Sequence, residues 1–340
     1  MDNKKNNIKN IYPLSPMQMS MLYHSLKIGD PSRDAYFRQY VLTVKGELDF
    51  DTFKKSVDIL VQRYDILRTA YIYEKVKQPV QVVFKERPVS VEFKDISDLT
   101  ESEKHLYIEE FKNKNRNHGF DLSKSTLLRM DIIKWAQKDY RIISCHHHIL
   151  MDGWCMGIVL GELFKIYSAV LDNTPLNLDK VHPYSNYIMW LEKQDKAEAR
   201  KYWCDYLKGY EKLATVPCSK ANDKKDYLLE ESTFDIDKEI TLRLEMLARD
   251  NGITMSTVVQ ILWGFILHSY TETKDVIFGT VVSGRPASLE GVGSIVGLFI
   301  NTVPVRIKFV DGIGFRYLAR EVQESILLVL LLEKPSLYRS

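Results

Sequence analysis

The sequence predicts an α/β (α+β) protein made of two lobes. Short apolar or alternating stretches, suited to strands, interleave with longer stretches of helical period along the chain. A turn-rich patch, Leu171-Asp172-Asn173-Thr174-Pro175, interrupts that pattern near the middle. The 340 residues are enough for two lobes that each bury a core. The expected divisions are a flexible N-terminus over 1–10, a first lobe over 11–172, a linker over 173–183 and a second lobe over 184–340.

Ser15 is placed to cap a helix, with Pro16 at its first position, running from Met17 to about Leu26. Tyr36 to Val44 reads as a strand closed by Lys45-Gly46-Glu47. Asp51 to Tyr64 is an amphipathic helix with Phe53, Val57, Leu60 and Val61 on its apolar face. Leu67–Tyr73, Val80–Phe84 and Val89–Phe93 read as strands, and Glu101–Lys114 as a polar helix. Leu127–Trp135 and Arg141–Cys145 form a predicted hairpin through Ala136-Gln137-Lys138-Asp139. Trp154 to Leu171 is a long helix. Beyond the linker, helices are expected around Tyr187–Lys193, Ala197–Leu207, Ile240–Asp250 and Met255–Tyr270, the last strongly apolar and expected to be buried. Lys220–Lys225 is a charged loop. Strands over Asp275–Val282 and Leu298–Phe309 flank a glycine-rich crossing, and Phe315–Leu332 is helical in pattern.

Hydrophobic residues make up 45% and charged residues 27%, as in ordinary soluble proteins, and the net charge is +2. That charge makes no electrostatic case for nucleic acid or an anionic membrane. The first residues are polar, unlike a signal peptide. The longest strongly apolar run, Ile326–Leu332, is too short to span a bilayer. Four cysteines, at 145, 155, 204 and 218, show no paired spacing, so a reducing cytoplasm is the expected compartment.

The chemistry concentrates in His147-His148-Ile149-Leu150-Met151-Asp152-Gly153, at a strand end and a helix start. Histidine exchanges protons near neutral pH. A helix start preceded by glycine offers backbone N–H groups to developing negative charge. A plain strand end with buried histidines is the bland alternative. Cys145-His146-His147-His148 could suggest a metal, but neighbouring strand residues point to opposite faces and cannot easily converge on one ion. No GxSxG nucleophile elbow is present. With no protein nucleophile, a histidine acting directly on two bound substrates fits better than hydrolysis through an acyl-enzyme.

The seven-residue run resembles the HHxxxDG signature of the condensation domains of non-ribosomal peptide synthetases, within the chloramphenicol-acetyltransferase-like acyltransferases. Flanking stretches resemble further motifs of that family, in the family's order. They are Ser15-Pro16-Met17-Gln18 through Leu26, Arg63-Tyr64-Asp65-Ile66-Leu67-Arg68-Thr69 (with Tyr64 where histidine is usual), Tyr184–Trp190, and Val296-Gly297-Leu298-Phe299-Ile300-Asn301-Thr302-Val303-Pro304-Val305-Arg306. Capping alone explains Ser15 and Pro16, and Leu67, Tyr71 and Trp190 read equally as core.

The resemblance implies two lobes in a V, with a tunnel between them. Donor and acceptor peptidyl carrier proteins present substrates on phosphopantetheine arms, and the domain itself binds no cofactor or metal. It implies His148 and Gly153 as the catalytic pair, with His147, Asp152 and Arg285 in support. Ser15, Gln18, Arg68, Trp154 and Asn301 become expected tunnel residues. Ser-Pro-Met-Gln with Asp-Gly-Trp resembles the type that joins an L-donor to an L-acceptor. Against the family pattern the chain stops early: Leu330–Tyr338 resembles a remnant of a later motif. The second lobe is therefore expected to be incomplete, with an unpaired sheet edge and exposed apolar surface around Ile326–Leu332. Adenylation and carrier domains are expected downstream. The competing readings are a coenzyme A-dependent small-molecule acyltransferase and a degenerate, non-catalytic carrier-binding fragment.

Overall fold

Residues 7–214 and 232–331 are described by the structure, a computed structural model. Cys218, the charged loop Lys220–Lys225 and the motif remnant beyond Leu331 lie outside them. The chain divides into two compact units, Met1–Lys193 with Arg285–Ile300, and Gln194–Gly284 with Asn301–Ser340. The first unit thus extends past the expected linker and takes in residues 285–300, which sequence pattern assigns to the second lobe.

In the first unit, β1 (Ile8–Pro13) begins inside the expected flexible terminus. It pairs antiparallel with β4 (Val80–Phe84), which also pairs with β3 (Thr69–Ile72). This pairing occupies backbone groups that a loose terminus would leave to water. The helix α1 (Pro16–Ile28) starts with a reciprocal capping box. Ser15 Oγ accepts from Gln18 N–H, Gln18 Oε1 accepts from Ser15 N–H, and Pro16 sits at the first position. It stops at Gly29, whose φ of 69° suits glycine.

The larger sheet runs in the order β2 (Phe37–Lys45), β7 (Asp139–His147), β6 (Leu128–Ala136), β5 (Phe93–Asp95). The predicted hairpin is β6–β7, and β5 joins β6 in parallel. Two expected strands are shorter. The 65–68 stretch is a 3-10 turn, because Thr69 Oγ1 donates to the Asp65 carbonyl and Arg68 pairs with the Asp65 carboxylate. Of Val89–Phe93, only Phe93 is in a strand.

The helices α2 (Phe50–Arg63) and α4 (Trp154–Leu171) pack together. Arg63 and Glu162 form an ion pair at 3.0 Å, and Phe53 and Tyr167 meet ring to ring. α4 is 18 residues long with mean hydropathy 1.5, enough by length and composition alone to cross a membrane. Here it buries Cys155, Val159, Leu163 and Ile166 in the first unit's core. α3 (Glu101–His118) and α5 (Ser185–Glu192) complete this unit.

The second unit holds α6 (Lys196–Leu207), α7 (Lys238–Asn251), α8 (Met255–Thr271), β8 (Asp275–Val282), β9 (Asn301–Lys308) and α9 (Phe315–Leu331). Among the described residues its sheet has two strands, β8 and β9, paired antiparallel. α8 was expected to be buried. Only one side is, through Val258, Ile261 and Leu267, while Val259, Trp263 and Phe265 stand on the exposed side. The exposed apolar surface therefore gathers on α8 as well as at Leu327 and Leu328 of α9. The predicted strand from Leu298 starts only at Asn301, because the N–H groups of Phe299 and Ile300 are engaged by Asp152 in the first unit.

Candidate active site

β7 delivers the histidines, and the pleat sends them apart. His147 is 1% exposed and its ring is held at both nitrogens. Nδ1 accepts the Ile149 N–H at 3.1 Å, so the proton lies on Nε2, which donates to Asp34 Oδ2 at 3.0 Å. The ring thus ties the turn to Asp34. Asp34, which lies 113 positions from His147 in sequence, carries no local signal that sequence reading could use.

His148 follows the strand, tied to β2's lead-in by its N–H donating to the Tyr36 carbonyl at 2.8 Å. Its ring is half-buried, and Nδ1 is buried without a hydrogen-bond partner among the described residues. Burial pushes its pKa below the ordinary histidine value. Its own backbone carbonyl and Asp152 act in the opposite sense, and Arg38 and His147 push it further down. The imidazole is therefore neutral near pH 7, the form that accepts a proton. His146 shares the alternate face of β7. Burial and its charged neighbours push it down to about 3, and it stacks on Tyr40. The three histidines do not converge, and among the described residues no cluster of three or more His, Cys, Asp or Glu could hold a metal.

Asp152 is an anchor. It is 2% exposed. Oδ1 meets Arg285 Nη2 and the Cys155 thiol, each at 3.3 Å. Oδ2 accepts the N–H groups of Phe299 and Ile300 at 2.9 and 3.2 Å. Arg285 also donates to the carbonyls of Val292 and Ile295 and lies 4.2 Å above the Phe299 ring. These contacts sew 285–300 onto the first unit. Asp152 and Arg285, both named as supporting residues by the resemblance, form an ion pair here. Cys155, at the centre of the same knot, was not foreseen.

Gly153 begins α4 with ordinary helical dihedrals, and a Cβ there would meet nothing within 4 Å. Nothing inside the chain requires glycine at this position. Its N–H makes no hydrogen bond among the described residues, so it remains available to an external oxygen. Trp154 is 60% exposed, with its indole N–H on the Gly293 carbonyl.

Three of the expected tunnel residues are instead structural. Ser15 is buried in its cap. Gln18 is fully buried and donates to the Ile149 carbonyl and the Tyr71 hydroxyl, propping the histidine turn from below. Arg68 is 2% exposed, its guanidinium spent on the carbonyls of Val61, Gln62, Phe84 and Lys85 and on Asp65. Polar side chains without room for water must be satisfied internally, which removes them from substrate. Asn301 opens β9 in the second unit, with a buried Oδ1 unpartnered among the described residues.

A neutral histidine and an open helix start on one locked turn are the groups that proton handling at an acyl centre requires. The chain belongs to the condensation domain family: the family model described as "Condensation domain" matches residues 8–333. It is similar to tyrocidine synthase 2 of Brevibacillus parabrevis, 41% identical over 323 residues, which is 95% of this chain and 9% of that protein. It is 42% identical over 318 residues to bacitracin synthase 3 of Bacillus licheniformis, 93% of this chain and 5% of that protein. The chain thus spans a small part of these relatives. Its fold is that of SgcC5 from Streptomyces globisporus (TM-score 0.75, 21% identity, covering 95% of this chain and 74% of that one). It is also that of the first condensation domain of the calcium-dependent antibiotic synthetase (TM-score 0.73, 16% identity, 96% and 76%).

Proposed function

We propose that the chain forms amide bonds in non-ribosomal peptide synthesis, between substrates held as phosphopantetheine thioesters on two carrier proteins. The amine of the acceptor aminoacyl group attacks the donor thioester carbonyl. His148, neutral and with Nδ1 turned inward, takes the amine's proton through Nε2 or holds the amine for attack. The Gly153 N–H faces the oxyanion. Collapse breaks the C–S bond, and the donor's thiolate takes up the released proton, so the donor chain ends on the acceptor. A positioned base contributes about 10²–10⁴-fold in rate. The carrying observation is His148 itself: an imidazole with its pKa lowered by burial and its Nδ1 without a hydrogen-bond partner among the described residues, on a turn braced by His147–Asp34 and Asp152–Arg285.

The relatives are far longer antibiotic synthases, and a solved structure of the same fold is a four-domain nonribosomal peptide synthetase, which supports carriers as partners, with adenylation and carrier domains in the same assembly. His148→Ala is expected to abolish product between two loaded carriers, read by mass spectrometry, with the fold unchanged by circular dichroism. Unchanged yield would remove His148 from the chemistry. Transfer from coenzyme A thioesters to free amines at comparable rate would favour the small-molecule acyltransferase reading instead.

A further inference from the structure

The β2–β7 register pairs Phe37 with His147 and Arg38 with His146. Continued one step past the end of β7, it sets Tyr36 opposite His148, and the His148 N–H does donate to the Tyr36 carbonyl. Residues directly opposite in an antiparallel pair share a face. Arg38, Tyr40, His146 and His148 therefore lie on one face, with Arg38 diagonal to His148. Diagonal cross-strand neighbours are about 7–8 Å apart at the backbone, within reach of a long side chain. β2 is the edge strand, and Arg38 is exposed and makes no hydrogen bond or ion pair among the described residues.

We propose that Arg38 is a positioning residue for the transfer reaction, an unpaired guanidinium on the shared face that holds the His148 imidazole in its neutral, proton-accepting form. This rests on the condensation reading for its consequence, though not for its electrostatics. On β2 the register sets Tyr36 opposite His148 and Arg38 diagonal to it. On β7 there are His146, which stays neutral at working pH, and His147, whose Nε2–H is committed to Asp34. On the following turn there is Asp152, whose carboxylate is consumed by Arg285 and two backbone N–H groups. Arg38 is thus the one facing charge whose side chain is not already held by another group of the described residues. A fixed positive charge disfavours a second one nearby, so the imidazolium is the form it opposes.

The test needs no structural disruption, because Arg38 is exposed. Arg38→Gln is expected to raise the His148 midpoint, followed by NMR of the imidazole resonances, by about half a pH unit at low salt. The shift should shrink as salt screens the exposed charge. In the loaded-carrier assay the acid limb should move to higher pH by the same amount, a loss of about threefold on the acidic side that closes as the pH rises. Arg38→Lys, which keeps the charge, should restore both. A His148 midpoint unmoved in Arg38→Gln overturns the proposal, whatever the assay shows. A moved midpoint in a chain that transfers nothing between carriers supports the electrostatic role and overturns the condensation reading instead.

Discussion

At the scale of residues, the signature separates into one imidazole with an open Nδ1, His148, and several side chains tied into the fold. His147 and His148 are adjacent and identical in type. One is pinned at both nitrogens and the other keeps its Nδ1 without a hydrogen bond among the described residues, because a strand alternates its faces and only one side offers Asp34. Asp152 sits in the motif but points its oxygens at Arg285 and the backbone of Phe299 and Ile300. Its loss should therefore read as instability before it reads as lost chemistry. Asp152→Asn leaves Arg285 buried without its counter-charge, which typically costs about 3–5 kcal/mol. The expected outcome is a clear fall in denaturant midpoint and soluble yield. A variant that melts normally yet transfers nothing would show that Asp152 acts on the reaction directly.

At the scale of elements, the crossing segment 285–300 depends on very close packing. A Cβ on Gly297 would come within 2.0 Å of the Tyr184 ring. That ring is buried, and its hydroxyl donates to the Leu298 carbonyl at 2.6 Å, so it cannot swing away. Gly297→Ala should destabilise the first unit by about 1–3 kcal/mol, the usual penalty for overpacking, measured by chemical denaturation. An unchanged midpoint would mean that α5 and the crossing segment can separate without loss. The start of α1 was legible in the sequence because a cap is local: Ser15 satisfies an orphan N–H group within one turn, as Thr100, not singled out from sequence, does for α3. The burial of α8 was not legible. Its sequence is apolar all round, and nothing in that pattern says which side finds a partner.

At the scale of the whole molecule, stability carries a pH dependence of its own. Burial, then the nearby Glu92, pushes the Asp131 carboxyl on β6 up to about 6. The folded chain therefore holds a proton there that the unfolded chain releases at lower pH. Stability from this site is present at acid pH and declines as pH rises from the ordinary aspartate value through about 6. Asp131→Asn should raise the melting temperature at pH 7.5, by a gain worth about 1–2 kcal/mol that vanishes near pH 4. A gain independent of pH would place its origin in packing rather than ionisation.

By itself the sequence determined the class of fold, the hairpin that carries the histidines, the Ser15 cap and the run of motifs that mark the family. These depend on local period, on capping and on residues adjacent in the chain. Only the tertiary structure decided which of the expected site residues are buried and bonded within the protein and which keep polar groups open. Ser15, Gln18 and Arg68 were withdrawn from the expected substrate path, because burial obliges each to spend its polar groups within the protein. Asp34, Cys155 and Arg38 entered the account because strand register and chain crossing bring distant positions to one turn. Asp34 and Arg38 lie more than a hundred residues before the signature, and Cys155, two residues after it, bonds to Gly297 142 residues on, beyond the range at which any sequence pattern reports contact.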